Sequence, residues 1–152
     1  MIPLLDVNLL VALAWPSHVH HSLAHRWFRR VHQDGWATCP LTQSGFVRVS
    51  SNRRILPEPA SVRDAILLLR ELVDLPGHVF WSDDTSIARS PGFPLDHLVG
   101  HRQITDAHLL CLATARGGRL ATLDRKLQEL VPDGVDPDEI LQVVRSGDRE
   151  PA

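Results

Sequence analysis

Only two of the 152 residues are cysteine, Cys39 and Cys111, and their spacing matches no thiolate metal site. Both read as small core residues of a chain kept in a reducing, cytoplasmic setting. Lysine is nearly absent, Lys126 being the only one, so arginine carries the positive charge. Positive charge is not in excess either: the net value of −2 excludes a general polycation for nucleic acid. No run reaches the roughly 18 apolar residues of a membrane span. The apolar opening "MIPLLDVNLLVALAWP" is interrupted by Asp6 and Asn8 and lacks a basic leader, so no membrane association and no signal peptide are expected. There is no G-x-S-x-G elbow and no glycine-rich phosphate loop, and "RGGR" is short enough to be a helix stop. Internal repeats and low-complexity segments are absent.

What remains is a chain with 43% hydrophobic residues, enough for one sizeable core. One domain is expected over 1–146, with a mobile tail at 147–152. "IPLLD" (2–6) reads as a buried strand and "VNLLVALAW" (7–15) as a helix stopped by Pro16. "SHVHHSLAHRWFRRVHQ" (17–33) reads as an amphipathic helix capped by Ser17. "GWATC" (35–39) is a second strand, and "PLTQSGFVRVSSN" (40–52) a helix opened by Pro40. A proline-broken loop at 55–60 precedes a helix over 61–77 and a strand "HVFW" at 78–81. Residues 82–103 read as loop with one or two short helices. A helix from Thr105 to Gly117-Gly118, a strand "RLATL" and a last strand "ILQVV" (140–144) complete the chain. Strands alternating with helices predict an α/β sandwich with a mostly parallel sheet.

Two aspartates bracket the helix and strand of "ITDAHLLCLATARGGRLATLD". A helix of about 10 residues runs about 15 Å, and a strand of about 5 residues returns about 16 Å. Asp106 and Asp124 therefore come back to one edge, the carboxyl edge of a parallel sheet, where ligands bind. Asp6 ends the first strand and obeys the same rule. Three carboxylates at one edge repel, and a divalent cation relieves that repulsion. Oxygen-only ligands favour Mg²⁺ or Mn²⁺ over Zn²⁺. Each aspartate also has a plainer use, in capping or facing the N-terminus of a helix.

The segments "LLDVNLLVAL", "TQSGFVR", "QITDAHLLCLA" and "RLATLDRKL" resemble the motifs of PIN-domain ribonucleases, in particular VapC-type toxins of bacterial toxin–antitoxin pairs. The resemblance covers Ile2 to about Val144. It implies a PIN-like three-layer sandwich and an acidic pocket binding Mg²⁺ or Mn²⁺. It also implies hydrolysis of RNA, structured RNA such as tRNA or rRNA included, a homodimer, and inhibition by a cognate antitoxin. Asp6, Asp106 and Asp124 match the family's acidic positions, and Asn8 matches a polar position two residues after the first. The family's glutamate is missing: none occurs before Glu58, and Gln43 or Gly45 stands in its place. Glutamine brings no charge and is no base near neutral pH, while Asp96 is an acid that could compensate.

Around this set, Gln43 and Asn8 are expected to orient waters, Arg48 to position substrate, and His108 to touch a scissile phosphate or leaving group. Structural uses of Arg48 and His108, in an ion pair or a helix face, stand beside those readings. "HVHHSLAH" invites a metal reading through His21 and His25, but the four-ligand set of a structural zinc is lacking. With Arg26, Arg29 and Arg30 it reads better as a solvated or partner-binding face. Residues 1–60 hold six arginines against three acids, for +3, so the remainder carries −5. Three functions are compatible with these features: a metal-dependent ribonuclease toxin, a PIN-like RNA- or antitoxin-binding module with weak catalysis, and a haloacid-dehalogenase-type phosphatase. The last wants Asp-x-Asp after the first strand, where Asn8 takes the second slot.

Overall fold

A computed structural model of the chain describes residues 1–147. Apart from Gly147, the expected tail at 147–152 lies outside the described residues. Five short strands form one sheet: β1 (Pro3–Leu5), β2 (Trp36–Thr38), β3 (His78–Phe80), β4 (Arg119–Thr122) and β5 (Leu141–Val143). Their order is β3-β2-β1-β4-β5, with every pairing parallel. The helices are α1 (Val7–Ala14), α2 (His21–Val31), α3 (Pro40–Ser50), α4 (Val62–Val73), α5 (Ile104–Ala115) and the one-turn α6 (Pro137–Ile140).

Side-chain alternation along the strands divides the core into two layers. Leu4 and Leu120 face a cluster with Leu109, Leu112 and Leu141. Leu5 and Ala121 face the opposite cluster, which holds Leu9, Trp27, Trp36 and Phe46. Helices thus cover both faces, which gives the three-layer α/β sandwich. Cys39 and Cys111 are free and buried within it. The indole N–H of Trp27 is buried there without a hydrogen-bond partner among the described residues.

Strand order places the crevice. β1 and β4 are neighbours, with Leu5 opposite Ala121. After β1 the chain moves to β2 on one side, while β4 leads to β5 on the other. This is the point where connections leave in opposite directions, and a crevice opens there at the carboxyl edge. Gly117 ends α5 at φ +68°. A Cβ on Gly118 would collide with the Ile2 carbonyl, so glycine is what lets β4 lie against β1.

Several boundaries differ from the sequence expectation. The helix predicted from Ser17 starts at His21, because the ring of His18 takes the His20 N–H at 3.0 Å and holds 17–20 in turns. Thr105 does not cap α5; a 3₁₀ turn (His101–Gln103) leads into it, and the Gln103 side chain accepts from Val99 and Gly100 N–H instead. The 3₁₀ run Arg125–Leu130 and α6 carry too little periodicity to be read in advance. Among the described residues no helix is long and apolar enough to cross a membrane.

Candidate active site

Asp6 leaves β1 at the crevice and is only 6% exposed. Its Oδ1 accepts the Val7 N–H at 2.7 Å, capping α1, and its Oδ2 accepts the Thr122 hydroxyl at 2.7 Å. Burial pushes its pKa up, the two hydrogen bonds pull it down in part, and Asp124 adds repulsion.

Thr122, at the end of β4, is the junction the sequence did not disclose. Its hydroxyl has one proton, and the 2.7 Å contact to Asp6 claims it over the 3.4 Å approach to the Asn8 Oδ1. The same oxygen accepts from Asn8 Nδ2 and from the Asp124 N–H, both at 3.1 Å. Asn8 Oδ1 in turn accepts the Leu123 N–H at 3.1 Å. One buried hydroxyl and one amide therefore lock the exits of β1 and β4 together, with Asp6 and Asp124 as fixed points.

Asp124 is half-buried and caps the 3₁₀ run Arg125–Leu130 through the Lys126 N–H at 2.9 Å. Asp106 approaches from the first turn of α5. It is half-buried and has no hydrogen-bond partner among the described residues. Burial first, then the charges of Asp6 and Asp124, raise its pKa to about 6. The three carboxylates line one hollow of about 390 Å³ with Asn8 and His18. Asp106 and Asp124 also border an adjoining hollow of about 230 Å³ with Arg102, Lys126 and Glu129.

The other expected site residues lie elsewhere. Gln43 donates to Thr38 Oγ1 at 3.0 Å and does not line either hollow. At Gly45 a Cβ would sit 2.6 Å from Val7 Cγ2, so the place where a glutamate could have stood is filled by the start of α1. Arg48 is exposed on α3, although its neighbour Val49 lines the hollow. His108 Nε2 lies 2.8 Å from Asp83 Oδ2, a close polar contact whose geometry falls short of a regular hydrogen bond, and lines neither hollow. Asp96 sits in the 3₁₀ turn Leu95–His97, also off both linings.

Among the described residues no three His, Cys, Asp or Glu side chains converge into a ready-made metal cluster, the histidines of 18–25 included. The carboxylate side of the hollow offers oxygen donors, and Asp106, half-buried, lacks a hydrogen-bond partner among the described residues. That donor set fits a hydrated, hard divalent cation rather than a closed zinc site.

Residues 4–131 match the family model described as PIN domain. The chain is a PIN-domain protein. Among its relatives, ribonuclease VapC39 of Mycobacterium tuberculosis is 44% identical over 135 residues, 89% of this chain and 97% of the relative. Ribonuclease VapC38 of the same organism is 53% identical over 121 residues, 80% of this chain and 84% of the relative. At these identities and coverages the chain belongs to the VapC ribonucleases within the PIN family. In three dimensions it is similar to a chain of VapBC2 from Rickettsia felis, whose crystal structure contains a promoter DNA fragment. The TM-score is 0.65 at 14% identity, over 94% of this chain and 98% of the other, which is a likeness of fold.

Proposed function

We propose that this VapC-family chain is a Mg²⁺- or Mn²⁺-dependent ribonuclease toxin. The observation that carries the reading is Asp106: a half-buried carboxylate without a hydrogen-bond partner among the described residues, its pKa raised to about 6 by burial and by Asp6 and Asp124 in the same hollow. Such repulsion is what a bound divalent cation relieves. Asp6, Asp106 and Asp124 would hold the ion, directly or through water. When bound, it polarises the phosphate and lowers the pKa of a coordinated water.

The chain's own residues do the positioning. Thr122 and the Val7 N–H fix both oxygens of Asp6, so it needs no reorganisation during reaction. Asn8 holds the exit of β4, and with it Asp124, in register with Asp6. Arg102 and Lys126 border the adjoining hollow and are placed to meet phosphates of a strand crossing the edge. Water adds across the P–O3′ bond, leaving a 5′-phosphate and a 3′-hydroxyl.

The substrate is RNA, with structured RNA such as tRNA or rRNA as the class to test. A cognate antitoxin restrains the enzyme in the cytoplasm, a reading supported by the VapBC naming of the structural neighbour. Exposed Val62, Ile66 and Leu67 on α4 offer an apolar face for association, in keeping with a homodimer. Gln43 and Gly45 in place of a glutamate favour one alternative, a PIN module that binds RNA or antitoxin and cleaves poorly. Purified protein incubated with RNA and Mg²⁺, then with chelator, separates the two. Cleavage that chelator abolishes supports the enzyme, and binding without cleavage supports the module.

A further inference from the structure

Carboxylates are not the whole lining of the hollow. Val11, Val49, Ile55 and Leu56 give it an apolar wall, and His18 lines it too. Hydrolysis of the phosphodiester needs only the polar part of this lining, which leaves the apolar part open to another group of a ligand.

This wall is built rather than incidental. The Asn52 carbonyl accepts the Ile55 and Leu56 N–H groups at 3.1 and 3.0 Å, and the Asn52 side chain accepts the Arg54 N–H at 2.9 Å. Trp15 joins the lip to the histidine turn. Its indole donates to Ser50 Oγ at 3.0 Å, and its carbonyl accepts the His18 N–H at 3.0 Å. The His18 ring is oriented as well. Nδ1 accepts the His20 N–H, so in the neutral ring the proton sits on Nε2, which has no hydrogen-bond partner among the described residues. Burial, with His20 and His21 nearby, holds the His18 pKa below the ordinary value, which keeps the ring neutral at neutral pH. Arg53 and Arg54 stand exposed on the lip, with no ion pair among the described residues.

We propose that His18 and the Ile55–Leu56 lip form a base-binding subsite, which seats one unpaired nucleobase beside the scissile phosphate and selects it through the His18 Nε2–H. The proposal rests on the ribonuclease reading of the same hollow. Three features favour a nucleotide as occupant. Val11, Val49, Ile55 and Leu56 share one hollow with the carboxylates, the arginines on the lip match flanking phosphates, and His18 lines the same hollow with its Nε2–H free of a partner among the described residues. A base held in a duplex cannot offer its pairing edge to that donor, so the subsite takes nucleotides from loops or single strands. His18 is thereby a specificity residue, and Asp6, Asp106 and Asp124 are left to the chemistry.

The test is cleavage of a randomised single-stranded RNA pool in Mg²⁺, with sequencing of the cut ends. Wild type is expected to prefer one base at one position next to the cut. His18→Ala should flatten the preference there and raise KM for the preferred base about tenfold, the weight of one hydrogen bond. His18→Gln, which keeps an N–H donor, should recover part of it. An abasic nucleotide at that position should penalise wild type strongly and Leu56→Ser little. Circular dichroism confirms that the variants fold, as expected for side chains at the surface of the hollow. A preference unchanged in His18→Ala, or an equal abasic penalty in Leu56→Ser, overturns the subsite and leaves the wall to a protein partner. Absence of any Asp106-dependent cleavage is a different result, since it removes the nuclease reading and the subsite together.

Discussion

Two carboxylates at one sheet edge are held in opposite ways. Asp6 is buried, with each oxygen bonded to a donor from the chain, and those bonds tie β1, α1 and β4 together. Asp106, at the start of α5, has no such partner among the described residues, and burial with the neighbouring carboxylates raises its pKa to about 6. Asp6 therefore serves the fold and the site at once. Asp106 serves the site at the expense of the fold. The difference separates residues whose loss unfolds the crevice from residues whose loss only disables it.

The sharpest way to break the comparison is to neutralise each in turn. Asp106→Asn and Asp6→Asn should each lower RNA cleavage by about 10²-fold or more, measured as kcat/KM under Mg²⁺. Their stabilities should then diverge. Asp6→Ala removes a helix cap and strands the Thr122 hydroxyl, which should lower unfolding free energy in urea by about 1–3 kcal/mol. Asp106→Asn should raise it.

The pH dependence of the metal-free protein sharpens the same point. The Asp106 pKa is about 6 when folded against 3.8 as a free side chain, so between these values the folded state binds the extra proton. Stability should be greatest below about pH 4 for this contribution and decline as pH rises through 6. The Asp6 shift has the same sign. Allowing for the partial exposure of Asp106, the decline should be about 1–2 kcal/mol, and it should shrink in Asp106→Asn. Adding Mg²⁺ at about pH 7.5 should raise the melting temperature of wild type more than that of Asp106→Asn. Thr122→Val probes the locked half alone: it keeps the shape, leaves Asp6 Oδ2 without its donor, and should destabilise by about 1–2 kcal/mol. The smallest effect is expected for Gln43→Ala, which removes one half-buried contact to Thr38, worth under about 1 kcal/mol.

That Asp6, Asp106 and Asp124 line one hollow was legible because it follows from element lengths and from a parallel sheet, both of which hydrophobic pattern encodes. That β1 and β4 are direct neighbours is what makes the rule work. Thr122 was not legible. A threonine at a strand end gives no sign that its hydroxyl will face the aspartate of another strand 116 residues earlier. His18 was hidden for a different reason: helical spacing in "HVHHSLAH" concealed a turn made by the His18 ring itself. His108 was read from its distance to Asp106 along the chain, yet it meets Asp83, which comes from a loop with no periodic signal. The Gly45 contact with Val7 shows why the missing glutamate could not simply have been restored there, since that space belongs to α1.

The most direct measurement is RNA cleavage by purified Asp106→Asn beside wild type, in Mg²⁺ and in chelator, with thermal unfolding of both recorded at the same pH. Wild type should cut RNA to 5′-phosphate and 3′-hydroxyl ends only with the metal, while the variant melts higher and does not cut. A folded Asp106→Asn protein that cleaves as well as wild type, or a wild-type activity that survives chelation, would contradict the assignment of this edge as a metal-dependent nuclease centre.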